Sequence, residues 1–277
     1  MTVPADPAKD QVQTATTGLV DLRVNSRWAG GSLAYDGAEQ LVTGWHCHDV
    51  HEIEYACRGM VEVKTAAGHY LLPPHQAAWI PAGLAHKTTL NAGAQTLAVL
   101  FEPSLVPAAA DRVRIIAVSA LLREMMLYSA RWPISRTESG EEADSFFQAL
   151  GYVVAEALED ERPLHLPATT HPVVTAATDY TRAHLDRVTV GDVTRAVGVS
   201  ERTLRRIFTT YLGMPWRSYL LRARVLRSMA LLAQPDRSVL EVSIAVGFDD
   251  AGAFARSFAR HCGESPSAYK RRISAAP

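Results

Sequence analysis

The sequence predicts an α+β chain: an N-terminal all-β barrel, flanking helices, and a C-terminal all-α domain with two helix-turn-helix units. Three observations carry this. Short alternating apolar runs punctuated by Gly, Pro and Asn fill residues from about Leu19 to Phe101, and such spacing makes a sandwich or small barrel. After Glu102 and Pro103 the apolar period becomes helical. From Pro172 to Ile273 a helical pattern broken by glycine and proline repeats itself.

The elements follow in order. HEIEYACRG, MVEVKTAAG, HYLLPP and QTLAVLF read as strands. DRVRIIAVSALLREMMLYSA predicts a helix over 111–130, with Val113, Ile116, Ala117, Ala120, Leu121 and Met125 at helical spacing. A second helix runs from Glu141 to about Leu158, with Phe146, Phe147, Leu150, Val154 and Leu158 on its apolar face. ERPLHLPATTHP has three prolines and no period, so it reads as a linker. The expected domains are a barrel over 1–105, a helical dimerisation and packing segment over 106–162, a linker over 163–171, and a reader over 172–277.

Composition narrows the function. With 277 residues, 48% apolar and 21% charged, the chain is neither disordered nor fibrous. No apolar run is long enough to span a bilayer, and the N-terminus lacks the basic start and apolar centre of a secretory signal. Cys47, Cys57 and Cys262 are odd in number and lack metal-finger spacing, which argues against a disulfide scaffold. The expected location is the cytoplasm, without membrane contact. Charge is uneven: from His171 onward there are 16 basic and 9 acidic residues, against 12 and 20 before it. A basic C-terminal part facing a polyanion fits that balance.

The repeat gives the polyanion a form. GDVTRAVGVSERTLRRIFTTYLG (191–213) parallels EVSIAVGFDDAGAFARSFARHCG (241–263). Each reads as a short helix ending in Ala-Val-Gly, a tight connection, a cap at Ser200 or Asp250, and a second helix closed by Gly. That is the pattern of a helix-turn-helix, whose second helix enters the DNA major groove. Arg202, Thr203, Arg205 and Arg206 are the DNA-facing candidates of the first reader, opposite Leu204, Ile207 and Phe208. Arg256 and Arg260 are those of the second, where Ala251, Gly252 and Ala253 leave little else to reach out. A helix from about Trp216 to Ala233, carrying Arg222, Arg224 and Arg227, would space the two readers. The ending IAVGFDDAGAFARSFARHCGESPSAYKRR is similar to the C-terminal signature of the AraC/XylS transcription regulators. The matching positions are Ile244, Ala245, Gly247, Phe248, Phe254, Phe258, Gly263, Pro266 and Tyr269, with Lys270 where the family usually has arginine. The resemblance implies two units that bind successive major grooves.

The densest chemistry lies upstream, in GWHCHDVHEIEYACRG and WIPAGLAHKTT. His46 and His48 are two apart, so on a strand both imidazoles face one side. Glu52 and Gly59 follow, then Pro81, Gly83 and His86. The spacing is similar to the two cupin motifs, and the resemblance implies a divalent transition metal (Zn, Fe, Mn, Ni or Cu) held by His46, His48, Glu52 and His86. The same residues also suit the walls of a metal-free pocket for an organic effector. Cys47 and Cys57 read as packed thiols, and the remaining histidines as surface or local structure. Gly-x-Gly-x-x-Gly, Gly-Lys-Ser/Thr and Gly-x-Ser-x-Gly are all absent.

The expected function is a ligand- or metal-responsive, sequence-specific DNA-binding transcription regulator, without catalytic residues. Its expected partners are double-stranded DNA, a small-molecule or metal effector, a second copy of the chain, and RNA polymerase if it activates. The homodimer would form through 111–130, along Ala117, Leu121, Met125 and Tyr128. One rival is a metal-dependent cupin enzyme, an oxygenase or isomerase, resting on the same four ligands. Another is a DNA-binding protein with no effector.

Overall fold

The computed structural model describes residues 20–22, 28–107, 112–116, 118–136, 140–159, 165–234 and 236–274. The strands are β1 (Val20–Leu22), β2 (Gly30–Asp36), β3 (Leu41–Val42), β4 (His46–His48), β5 (His51–Arg58), β6 (Val61–Lys64), β7 (Gly68–Leu72), β8 (Ala77–Ile80), β9 (Lys87–Leu90), β10 (Gln95–Phe101), β11 (Arg114–Ile116) and β12 (Leu166–Pro167). Two compact units emerge: one from the described residues within 1–65 and 74–163, the other from those within 66–73 and 164–277. The α+β class expected from the sequence is the one found.

In the first unit an antiparallel sheet has the order β11-β8-β5-β10-β2. Its pleat separates two chemistries, because successive side chains point to opposite faces. Ile53, Tyr55, Trp79, Val99 and Phe101 turn to one face. There they pack on Leu122 and Met126 of α1 (Ala120–Tyr128) and on Phe147, Leu150 and Val154 of α2 (Glu141–Glu159). Each such side chain, fully buried, contributes about 1.5–3 kcal/mol. The opposite face carries Glu52. Across from it β6 pairs with β9, β9 with β3, and β1 runs parallel to β4.

The helix expected over 111–130 is a strand and then a shorter helix. Arg114, Ile115 and Ile116 pair with Trp79, Ala78 and Ala77, and Val113, Ile115 and Ile116 are each 1% exposed. Adjacent β-branched residues buried on both faces suit a covered strand better than a one-faced helix. The helix begins only where the Ser119 hydroxyl accepts the Leu122 N–H, at 3.1 Å. It buries Leu122 and Met126, leaving Leu121 and Tyr128 exposed. Ala117 lies outside the described residues.

The second unit starts from β7, which pairs antiparallel with β12, Leu166 opposite His69. Residues 66–73, inside the 1–105 range expected for the barrel, belong to the compact unit that holds the helices. Those are α3 (Pro172–Ala183), α4 (Val190–Val197), α5 (Glu201–Leu212), α6 (Trp216–Leu232), α7 (Val239–Ala245), α8 (Ala251–Cys262) and α9 (Pro266–Ser274). α4 and α7 open with reciprocal capping boxes, Thr189 with Asp192 and Ser238 with Glu241. α5 and α8 open on the expected caps, Ser200 and Asp250. α6 runs through the centre, burying Tyr219, Leu226 and Met229, and its Trp216 indole donates to Thr181 Oγ1 at 3.0 Å. No helix among the described residues is long and apolar enough to cross a membrane.

Candidate metal centre and nucleic-acid interface

Within the first unit the two histidine motifs meet through the backbone. His46 and His86 exchange N–H···O bonds, both 2.9 Å, so the start of β9 lies beside β4. Imidazole centroids are 4.2 Å apart for His46 and His86, 5.1 Å for His48 and His86, and 6.1 Å for His46 and His48. One ligand atom from each histidine falls within 4.8 Å of the others. Glu52 reaches across from β5, with Oε2 2.7 Å from His48 Nε2 and 3.9 Å from His86 Nε2. The four residues singled out in the sequence thus share one locus, with His48, Glu52 and His86 buried and His46 half-buried.

Each ring is oriented from behind. The Nδ1 atoms of His46, His48 and His86 face the carbonyls of Gly44, Val50 and Leu84 at 3.3, 2.7 and 2.8 Å. A carbonyl only accepts, so each Nδ1 carries a proton, and whenever the ring is neutral its Nε2 is left as a lone pair. His86 is fully buried and its Nε2 has no hydrogen-bond partner. Backbone bonds to the remote nitrogen with inward lone pairs are the support that metal-bound imidazoles have. The 2.7 Å contact between His48 Nε2 and Glu52 likewise needs a positive centre: a proton on His48 or a metal ion. The donor set, three imidazoles and a carboxylate, fits a divalent transition ion.

Electrostatics point the same way. Burial pulls His86 down to about 4 and also lowers His46, leaving neutral rings. Burial alone would raise Glu52, but the His48 hydrogen bond and the His48 charge lead the interactions that outweigh it and hold the carboxyl at about 2. His48 is raised because its bond to Glu52 overcomes the opposing effect of burial. Cys57, pushed up to about 11 by burial first and Glu54 second, is a poor nucleophile, as expected.

The reader helices sit on buried backs. In α5 Leu204, Ile207, Phe208 and Leu212 are buried, while Arg202, Arg205 and Arg206 are exposed. Thr203 is half-buried, and its Oγ1 accepts the Ser200 hydroxyl at 3.0 Å. In α8 Phe254 and Phe258 are buried, with Arg256 and Arg260 exposed. Arg256 leans on the cap, 3.6 Å from Asp250. Two arginines of the spacer helix serve the unit itself: Arg222 donates to the His165 carbonyl at 3.2 Å and Arg224 to the Leu185 carbonyl at 2.8 Å. Arg227 stays exposed. The signature residues also have structural roles. Tyr269 stacks edge-on against Phe258, and Lys270 hydrogen-bonds the Arg237 carbonyl.

Comparison with known proteins identifies two domains in the chain. Residues 30–166 match the family model for an AraC-like ligand binding domain, and residues 193–272 match one for a helix-turn-helix domain. The chain belongs to the AraC family of transcription regulators. As such it is a DNA-binding regulator with an N-terminal ligand-binding domain. It is 25% identical over 243 residues to the HTH-type transcriptional regulator NimR of Escherichia coli, an alignment spanning 86% of each chain. The Msm operon regulatory protein of Streptococcus mutans is 34% identical over 84 residues, 30% of each chain. An AraC-type transcriptional regulator structure from Chromobacterium violaceum is 28% identical, covering 39% of this chain and 97% of that one, with a TM-score of 0.37.

Sequence reasoning missed the groups behind this AraC-family site. The carbonyls that orient the histidines carry no side-chain signal. Glu54, buried beside Glu52, did have one: two acidic residues at i and i+2 in a strand share a face.

Proposed function

We propose that this AraC-family chain is a metal- or ligand-responsive regulator whose N-terminal unit binds a divalent ion at His46, His48, Glu52 and His86. The observation that carries the reading is the inward Nε2 of His86, buried and unpartnered beside Glu52. When bound, the ion would supply a Lewis-acid centre with positions open to an effector. Gly44, Val50 and Leu84 hold the rings in one tautomer, and Glu52 ties the β4 motif to the start of β9. A ligand alters DNA affinity only if it binds two arrangements of the chain unequally.

Elemental analysis of protein purified without added metal tests the centre. About one divalent ion per chain, lost in His48→Ala and in His86→Ala, is the expected result. Metal-free wild type with a normal effector response would leave only an organic-effector sensor. We also propose a homodimer through the exposed apolar residues of α1 and α2, Leu121 at 60%, Tyr128 at 51% and Tyr152 at 70% exposure. Light scattering giving the 30.2 kDa of one chain at micromolar protein would remove that claim.

A further inference from the structure

The two reader helices are alike behind and unlike in front. Leu204 and Phe208 of α5 correspond to Phe254 and Phe258 of α8, all four buried, and Gly213 and Gly263 close the two helices in the left-handed conformation. The caps Ser200 and Asp250 stand at the same distance before Leu204 and Phe254. Position by position, Arg202, Thr203, Arg205 and Arg206 of α5 therefore correspond to Gly252, Ala253, Ala255 and Arg256 of α8. The two starts also differ in charge. The Ser200 hydroxyl, which is neutral, accepts the Thr203 N–H at 3.2 Å. The Asp250 carboxylate accepts the Gly252 and Ala253 N–H groups at 3.1 and 2.7 Å, bonds that favour its ionised form. Arg256 is drawn to the same carboxylate, 3.6 Å away, and a Cβ on Gly252 would stand 3.2 Å from its Nη1. The first turn of α8 thus offers an anion, a guanidinium already paired with it, and the methyl group of Ala253.

Base edges in the major groove tell these two starts apart. Guanine shows two acceptors, N7 and O6, which suit arginine, whereas thymine shows a methyl group, which suits an apolar side chain. A carboxylate facing the guanine edge sets acceptor against acceptor, which selects against that base. We infer that the two readers demand different bases: α5 reads guanine through its arginines, and α8 reads a thymine methyl through Ala253, with Asp250 excluding guanine there. The inference rests on the DNA-binding function and not on the proposed metal. It adds that the DNA site is asymmetric, a guanine-bearing half and a thymine-bearing half about one helical turn apart. Residues as small as Gly252 and Ala253 let the helix come close enough to the base edges for a methyl-to-methyl contact.

Selection of bound duplexes from a random pool by the full-length protein, followed by single-group changes in the selected site, tests this. A guanine in one half and a thymine in the other is the expected outcome. Replacing that thymine with deoxyuridine, which lacks only the methyl group, should weaken binding about fourfold, the worth of one buried methyl. Replacing the guanine with 7-deazaguanine, which lacks the N7 acceptor, should weaken it about tenfold. Ala253→Gly should bind the thymine and deoxyuridine sites equally. Asp250→Ser, which keeps a capping oxygen without the charge, should tolerate guanine in place of the thymine. Guanine selected alike in both halves, equal binding of the thymine and deoxyuridine sites by the wild type, or continued exclusion of guanine by Asp250→Ser would each overturn the inference.

Discussion

At Gly247 a single methyl group would meet the Asp186 carbonyl oxygen at 2.3 Å and the Arg224 guanidinium at 2.6 Å, on a backbone with φ of +85°. Neither obstacle moves freely, because the first is backbone and Arg224 also holds the Leu185 carbonyl. Gly247→Ala should therefore destabilise the protein by at least about 2 kcal/mol, visible as a lower denaturant midpoint. Arg205, exposed on α5, belongs to the other kind of residue. Its removal should leave stability intact and cost about 1–3 kcal/mol of base discrimination in competition gel shifts. Unchanged site preference in Arg205→Ala would defeat its role as a base reader. At this scale the sequence was informative wherever chemistry dictates spacing. His46, His48, Glu52 and His86 could be picked out because few side chains bind metals. The partners that orient them could not, since Gly44, Val50 and Leu84 act through carbonyls that every residue has.

Helix boundaries in the reader were legible because caps are local chemistry: Ser200 and Asp250 accept N–H groups two or three residues away. Ser238→Ala should cost about 1 kcal/mol in a chemical denaturation series. The capping boxes also respond to acid. Hydrogen bonds from the Thr189 side chain and backbone lower Asp192, and those from the Ser238 backbone and side chain lower Glu241. A carboxylate depressed in the folded state lends stability that is complete above its ordinary range and lost as pH falls through the depressed value. The first turns of α4 and α7 should accordingly fray on acidification, read by amide exchange, and the response should vanish at α4 in Asp192→Asn. The region 111–130 was less legible. Val113, Ile115 and Ile116 are compatible with either period over so few residues, and the strand exists because β8 offers Trp79 and Ala77 as partners. That partner lies more than 30 positions away in the chain, beyond the reach of a local pattern.

Across the whole molecule, the charge divide makes DNA binding a counterion-release process. With the basic excess after His171 and roughly six phosphate contacts, affinity should fall about a thousandfold or more between roughly 50 and 200 mM salt. A flat salt dependence would show that the basic helices are not the DNA-binding surface. The order of a β-rich sensor followed by helices was readable from period and composition alone. The pairing of β7 with β12 was not, because a strand partner about a hundred residues away leaves no local mark in the sequence. β7 pairs with β12, Tyr70 stacks on His165, and the Arg182 guanidinium donates to His69. The reader unit is thus discontinuous in sequence, with one strand encoded about a hundred residues ahead of the rest. Recombination has to respect that. A chimera joined by one crossover in the linker would take the helices from one parent and this strand from the other, forcing His69 and Arg182 of different lineages to match.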